Sequence, residues 1–431
     1  MKGPEENDDF LAAGNGDSRA HLGWWGRISH FGGVGLGMVA TLPAWPLLAG
    51  VVLGFFLCSF AGKIVSDRPM LEHFVRFHGP ISPSYYFYPT ASELVSYVRH
   101  TVTRDKHLVV VGGASYFRGT GQNPDELWTL ELQRLLGDEY AVVNFAMDQS
   151  GVTSFAGVAF QVLAREYPKI AYVTNASPVV VDPIDGGEVY RYVYWDAYYK
   201  GMIPLPAPWS ERVRELAKDE RKDPAGLELH LGKWIDQFTH ACDLWTYIGY
   251  KYIFTVWSDG MPDTLTSPRG EYIDGSDQNL AQKQRETRQN RDYRQRYEEM
   301  NKDFATKGFV RDKSGNWELD PSAFDVISQL SEAMFPDNLK SKCFLVLVRA
   351  NPFFEQAFKA DDWRRHETMF RQGQLAFERA GYRVVQLPDS EFTPDDFVDG
   401  GHYMVSGGRK VAKAVYEAIK RSAPQDQHSG R

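Results

Sequence analysis

Residues 107–119 read HLVVVGGASYFRG, and they set the architecture expected for the whole chain. The first five residues are almost wholly apolar and stop at two glycines, which is typical of a buried parallel strand that ends in a tight loop. Ser115 follows the glycines and precedes the next helical pattern. The segment therefore predicts an α/β unit that carries a serine just beyond the carboxyl end of a strand.

The same kind of unit recurs along the chain. Short apolar runs alternate with longer segments of helical periodicity, and this order predicts a parallel sheet with right-handed crossovers. Further strands are expected at 140–145, 170–174, 343–348 and 382–387, and helices at 123–137, 154–166, 361–380 and 406–421.

Residues 185–340 break this rhythm and predict a large, mainly helical insertion, with helical stretches at 210–221 and 229–248. The charged run at 278–307 has few apolar positions, so we expect a solvated helix or a mobile arm there. The expected domain plan is a tail (1–30), an apolar anchor (31–62), a juxtamembrane linker (63–105), the main domain with its insertion (106–423) and a flexible tail (424–431).

The apolar anchor is the strongest single pattern in the N-terminal part. No Asp, Glu, Lys or Arg lies between Arg27 and Lys63, and residues 37–62 are long enough to cross about 30 Å of hydrocarbon as a helix. Two prolines in the first half shift the expected span toward 42–61. A cleavable signal peptide is the alternative, since residues 59–61 resemble a cleavage site, but the polar leader is long for one. We expect a single-pass anchor with a cytoplasmic tail and the large domain on the other side of the membrane.

Composition excludes several classes of function. The chain has 56 acidic and 48 basic residues, a net charge of -8, and no long basic run, which argues against a nucleic-acid partner. The three cysteines cannot form a disulfide framework, and outside the apolar segment only Cys242 and Cys343 could pair. The histidines lack metal-ligand spacing, so we expect neither a metal nor another cofactor.

Three of the expected strands end in loops of small and polar residues, at 112–119, 144–151 and 174–178. Because ligand sites in open parallel sheets lie at the carboxyl ends of the strands, we expect these loops to share one crevice. The first loop lacks the Gly-Lys of a P-loop, the G-x-G-x-x-G dinucleotide fingerprint and the G-x-S-x-G nucleophile elbow. What remains is Ser115 at a turn whose backbone N–H groups can stabilise an oxyanion, provided that an imidazole removes the serine proton.

The C-terminal part offers that imidazole in the sequence Asp399-Gly400-Gly401-His402, between the last expected strand and the last expected helix. An aspartate three residues before a histidine can accept the Nδ1 hydrogen bond and leave Nε2 facing the nucleophile. Ser115, Asp399 and His402 are therefore the candidate catalytic residues.

These blocks, in this order, resemble the SGNH (GDSL-like) hydrolase superfamily over roughly residues 106–419. The resemblance implies a three-layer α/β/α, flavodoxin-like parallel sheet with Ser115 as nucleophile, His402 as base and Asp399 as its orienting partner. It also implies an oxyanion hole made by the Ser115 N–H, Gly151 and Asn175, with Asn144 as a substitute for Asn175. The chain departs from the family pattern in Gly-Ala-Ser before the nucleophile and in Thr-Asn-Ala at the third block.

The anchor and the Gly-Ala-Ser sequence together look like the membrane-tethered branch that includes the D-alanyl-lipoteichoic-acid transfer protein and the alginate O-acetylation proteins. This likeness implies a serine esterase or O-acyltransferase at the bacterial cytoplasmic membrane, with its domain in the periplasm or outside the cell. The implied partners are a cell-envelope or exported polysaccharide and a membrane-bound O-acyltransferase. The alternative is a catalytically inactive protein of the same fold that binds polysaccharide or scaffolds such a complex.

Three further residues are candidates for substrate binding. Arg118 can bind a carboxylate or phosphate of the substrate, although an ion pair with Asp148 that ties down the serine loop explains it equally well. Tyr194 and Trp195 lie in an aromatic stretch, YRYVYWDAYYK, whose rings can stack on sugar faces. The alternative for these rings is that they pack the insertion onto the sheet.

Overall fold

The structure is a computed structural model of the 431-residue chain. It describes residues 44–66, 90–122, 125–147, 150–176, 193–194, 197–198, 200–203, 239–240, 244, 309–352 and 360–422. Several predictions lie wholly or mostly outside these residues: the tails at 1–30 and 424–431, the helices at 210–221 and 229–248, the charged run at 278–307, Cys242, Asp148 and Trp195.

Helix α1 (Ala44–Ser66) is the first described element. Its residues 44–65 form a helix long and apolar enough to cross a membrane, and most of its large apolar side chains are exposed. At about 1.5 Å per residue, such a helix matches the thickness of a bilayer core. The structure therefore contains an apolar N-terminal helix, starting and ending a few residues after the narrower predicted span.

The central element is a five-stranded sheet in which every neighbouring pair is parallel. The strands described are β1 (His107–Val111), β2 (Tyr140–Asn144), β3 (Ile170–Ala176), β4 (Phe309–Arg311), β5 (Trp317–Leu319), β6 (Cys343–Leu347) and β7 (Arg383–Gln386). The sheet has the order β2-β1-β3-β6-β7, and a separate antiparallel pair joins β4 to β5. The prediction of a parallel α/β fold is confirmed, and all five predicted sheet strands are present.

Eight further helices connect or cover these strands in the described part of the chain. They are α2 (Ala91–Thr101), α3 (Ser115–Arg118), α4 (Trp128–Leu136), α5 (Ala156–Leu163), α6 (Pro321–Ala333), α7 (Asp337–Lys340), α8 (Ala360–Arg379) and α9 (Val405–Ser422). Two short 3-10 turns, Asp389–Glu391 and Pro394–Asp396, lie between β7 and α9.

Helices pack on both faces of the sheet because the side chains of each strand alternate between them. On β1, Leu108 and Val110 belong to a core shared with α2, α5 and α8. Val109 and Val111 belong to a second core shared with α4 and α9. Both faces of β1 are thus buried, which explains why its sequence is apolar from Leu108 to Val111 and does not alternate with polar residues.

Helix α2 shows that the main domain starts earlier than expected. Thr90 caps it, accepting a hydrogen bond from the Glu93 N–H while Glu93 accepts one from the Thr90 N–H. Leu94, Val95 and Val98 on this helix are fully buried in the first core. The second half of the predicted linker, 63–105, is therefore part of the folded domain, because its apolar face covers the sheet.

Two other differences concern residues 123–340. Helix α4 begins at Trp128, after the predicted opening at 123, and the Gln122 side chain accepts the Trp128 N–H at 2.8 Å. The predicted insertion is described only in part, and there it includes the hairpin of β4 and β5 as well as helices. Cys343 is a free, buried thiol, and Cys242, its possible partner, lies outside the described residues.

Candidate active site

Ser115 stands at the first position of α3, immediately after the loop that ends β1. The ladder of the sheet continues into this loop, since the Gly112 N–H donates to the Val173 carbonyl at 2.8 Å. Gly113 has a φ of +94°, and a Cβ there would lie 2.1 Å from Oδ1 of Asn175. Only glycine fits this backbone, so the two glycines turn the chain sharply and place Ser115 at the carboxyl edge of the sheet.

His402 reaches Ser115 from the far end of the chain. Its Nε2 lies 2.7 Å from Oγ of Ser115, and its Nδ1 lies 2.7 Å from Oδ2 of Asp399. Each ring nitrogen thus faces the partner that general-base activation of a serine requires. Ser115, His402 and Asp399 are each partly exposed.

The loop that carries the histidine is held by its own aspartate. Oδ1 of Asp399 accepts the N–H groups of Gly401 and His402 at 2.9 and 2.8 Å, which leaves Oδ2 for the imidazole. Burial alone would raise the pKa of Asp399, but hydrogen bonds from the His402 ring and from the backbone outweigh it and lower that pKa. Asp399 is therefore ionised near neutral pH and can hold the Nδ1–H tautomer of His402.

The amide of Asn175, at the end of β3, meets the serine loop. Its Oδ1 accepts the Ala114 N–H at 2.7 Å, so Nδ2 is the donor end of the side chain. Ser115 begins a helix, and its N–H therefore has no acceptor inside that helix. Asn175 and the Ser115 N–H thus lie on adjoining segments, as the predicted oxyanion hole requires.

Asn144, the predicted substitute for Asn175, is used differently. It is buried, and its amide nitrogen donates to the carbonyls of Phe117 and Arg118 at 3.3 and 3.4 Å. Its Oδ1 accepts the Ala146 N–H. These bonds tie the end of β2 to the serine helix, so the structure favours Asn175 over Asn144 as the side-chain donor.

Gly151 lies in the loop between β2 and α5, where its carbonyl accepts hydrogen bonds from the hydroxyls of Ser150 and Ser154. This loop is tied to the serine loop, because the Met147 N–H donates to the Gly113 carbonyl at 2.9 Å. The role of the Gly151 N–H as an oxyanion donor stays a prediction.

The structure describes two of the three substrate-binding candidates, Arg118 and Tyr194, whereas Trp195 lies outside the described residues. Arg118 is buried at the end of α3, and its guanidinium donates to Oγ1 of Thr120 at 2.8 Å. Its binding to a substrate anion stays a prediction. Tyr194 is only 9% exposed and belongs to the first core, which favours the packing alternative over a sugar platform for this ring.

Two residues that the sequence analysis did not select hold the site together. Asn351, beyond β6, donates from Nδ2 to the Asp399 carbonyl at 3.0 Å, and its N–H donates to the Gly400 carbonyl at 2.9 Å. Gln122, fully buried, donates to the Tyr403 carbonyl at 3.2 Å, next to His402. The strand-end pattern that selected Ser115 applies to Asn351 as well, whereas no local pattern in the sequence marks Gln122.

Among the described residues, no three His, Cys, Asp or Glu side chains are grouped as metal ligands. The arrangement at Ser115 is suited to nucleophilic attack by an oxygen whose proton passes to an imidazole.

No protein-family model matches this chain, and no curated protein matches it significantly. The described residues form a parallel α/β domain, preceded by an apolar helix, with a hydrogen-bonded chain of Ser115, His402 and Asp399 at the carboxyl edge of its sheet.

Proposed function

We propose that this protein is a membrane-anchored serine esterase or O-acyltransferase of the SGNH type. The observation that carries the proposal is the continuous hydrogen-bonded chain from Oγ of Ser115 through the His402 ring to Asp399, with both distances at 2.7 Å. The strand order and the large insertion before β6 are compatible with that type. Its domain would lie outside the bacterial cytoplasmic membrane, held by α1.

The reaction follows from the positions of the protons. Oγ of Ser115 attacks the carbonyl carbon of an acyl donor while Nε2 of His402 takes the serine proton. The tetrahedral oxyanion accepts hydrogen bonds from the Ser115 N–H and Nδ2 of Asn175, with Gly151 as the third expected donor. The bond to the leaving oxygen then breaks, and His402 returns the proton to it. Water or a hydroxyl of the acceptor finally attacks the acyl-serine, by the same steps in reverse order.

The substrate class comes from the resemblance alone. A polysaccharide of the cell envelope or an exported polysaccharide would supply the ester or the acceptor hydroxyl, and a membrane-bound O-acyltransferase would be the partner that supplies acyl groups. The catalytically inactive alternative is less favoured, since a protein that only binds or scaffolds has no need of two 2.7 Å contacts aligned through one imidazole.

Labelling with a fluorophosphonate, which reacts with activated serines, tests the proposal on the full-length chain in detergent. We expect labelling of the wild type, none in Ser115→Ala, and a loss of about a thousandfold or more in His402→Ala. Ser422→Ala and His100→Ala, the same changes on α9 and α2 away from the site, should label like the wild type. Labelling that survives Ser115→Ala, or an unlabelled wild type that is folded, would overturn the assignment.

A second measurement separates hydrolysis from transfer. The wild type is incubated with p-nitrophenyl acetate, with and without an added polysaccharide, and the acetyl group is followed by mass spectrometry. An O-acyltransferase would move acetyl groups to the polysaccharide, whereas an esterase would release acetate at a rate that the polysaccharide does not change.

A further inference from the structure

The aromatic ring next to the nucleophile lies against the histidine. Tyr116 follows Ser115 on α3, and its ring centroid is 4.9 Å from that of His402, with 21° between the ring planes. The two rings are therefore stacked, so one face of the imidazole is covered by a phenol. The contact joins the helix that carries the nucleophile to the loop that carries the base.

The close approach of the two rings depends on the residue before the histidine. A Cβ at Gly401 would lie 2.3 Å from Cε1 of Tyr116 and 3.1 Å from its hydroxyl oxygen. The phenol thus fills the space that any side chain at position 401 would need. Gly401 lets the ring lie flat on His402.

The stack constrains what the hydrogen bonds leave open. The bonds to Ser115 and Asp399 fix the positions of the two ring nitrogens. They still allow the imidazole to tilt about the line that joins those two nitrogens. A flat ring on one face opposes that tilt. Burial, and after it the charge of Asp399, raises the pKa of Tyr116, so its ring stays a neutral phenol.

The stack also bears on the charge that forms during the reaction. When Ser115 gives up its proton, His402 becomes an imidazolium directly under the electron-rich face of Tyr116. A cation within about 6 Å of an aromatic centroid is attracted by the ring quadrupole. Because the charge exists only after proton transfer, this attraction stabilises the transition state more than the resting enzyme.

We propose that Tyr116 is a positioning residue that holds the His402 ring in plane and stabilises its protonated form. The inference rests on the proposed function, since it concerns the base of that reaction. The groups that hydrogen-bond or stack with the His402 ring among the described residues are Asp399 on its own loop and Ser115 and Tyr116 on α3.

The test is the pH dependence of fluorophosphonate labelling of the full-length chain in detergent. Tyr116→Leu should slow labelling about five- to thirtyfold, the range of a cation–π contact at a partly desolvated site. The acid limb of the pH–rate profile of this variant should also move to lower pH, because the protonated His402 ring has lost the attraction of the aromatic face. Tyr116→Phe keeps the ring face and should restore the rate to within about threefold. Tyr416→Leu, the same change on α9 against the same core, is the matched control.

If Tyr116→Leu fails to fold, a series of variants replaces it: Tyr116→Phe, Tyr116→4-fluoro-Phe and Tyr116→3,4,5-trifluoro-Phe. The series keeps the shape of the ring, and each added fluorine weakens the negative charge on the ring face. A graded fall in rate, with a graded shift of the acid limb, supports the proposal. An acid limb that does not move in Tyr116→Leu or across the fluorinated series overturns it. A wild type that is not labelled at Ser115 would instead mean that the proposed function has failed.

Discussion

Replacing Asp399 by asparagine removes one charge while keeping the shape of the histidine loop. In the wild type, Oδ1 accepts the N–H groups of Gly401 and His402, and the asparagine Oδ1 can do the same. The other end of the side chain changes from an acceptor to an NH₂ donor, which then faces Nδ1 of His402. The imidazole must adopt the tautomer with its proton on Nε2, and that nitrogen can no longer take the proton of Ser115.

The magnitude of this effect follows from two contributions. A hydrogen bond to a charged group contributes about 1.5–3 kcal/mol, which corresponds to about 10- to 150-fold in rate if it is lost only in the transition state. The unfavourable tautomer removes the base as well. We therefore expect the second-order rate constant of fluorophosphonate labelling to fall about 10³- to 10⁴-fold in Asp399→Asn.

The measurement compares labelling of the wild type, Asp399→Asn and Asp395→Asn on the full-length chain in detergent, with thermal unfolding of each. Asp395 is exposed, so the same chemical change there should leave labelling and unfolding near the wild-type values. If Asp399→Asn labels within tenfold of the wild type, Asp399 does not orient the base and the proposed roles are wrong.

The stability of Asp399→Asn should also depend on pH. Because the pKa of Asp399 is lower in the folded protein than its ordinary value of about 3.9, the carboxylate stabilises the fold above that value. This stabilisation declines as the pH falls through the folded-state pKa. The difference in unfolding free energy between wild type and variant should thus be largest near neutral pH and shrink below about pH 4, and a difference that grows toward acid would contradict the linkage.

Three further predictions concern the frame around the site and the anchor. Gln122→Leu leaves both the Tyr403 carbonyl and the Trp128 N–H without their buried partner and should cost about 2–4 kcal/mol in urea unfolding; an unchanged midpoint would refute this. Lys410→Met removes the cation 2.6 Å from the buried carboxylate of Asp396 and should lower the free energy of unfolding by about 1–3 kcal/mol at pH 7. The decrease should be smaller at about pH 3, because protonation of Asp396 removes its unpaired charge. Removing residues 1–66 should move the protein from the membrane fraction to the soluble fraction, and continued membrane retention would mean that α1 is not the sole anchor.

Most of the sheet strands were predictable because they are short apolar runs bounded by polar or small residues, as His107–Val111 shows, whereas β7 has only two apolar residues. Their boundaries agree with the structure to within one or two residues. The start of α4 was less predictable, since a buried side chain, Gln122, and not a local capping sequence, accepts its first N–H. Helix α2 is marked in the sequence by its own capping box at Thr90 and Glu93, but it was placed in a linker because only the sheet shows what its apolar face covers.

Part of the candidate site is local in the sequence and could be predicted from it. Asp399 and His402 are three residues apart, so one turn brings them together, and Ser115 follows a recognisable strand end. The sequence alone therefore determined that Ser115, Asp399 and His402 are able to form the site, and that they lie in the loops that follow predicted strands.

Only the tertiary structure decided how these residues meet. Ser115 and His402 are 287 positions apart, and their contact depends on the lateral order of the strands, which pattern alone does not specify. The stacking of Tyr116 on His402 and the burial of Tyr194 have the same origin. A side chain's neighbours across a sheet are set by packing between distant segments, and that packing leaves no periodic trace in the sequence near either residue.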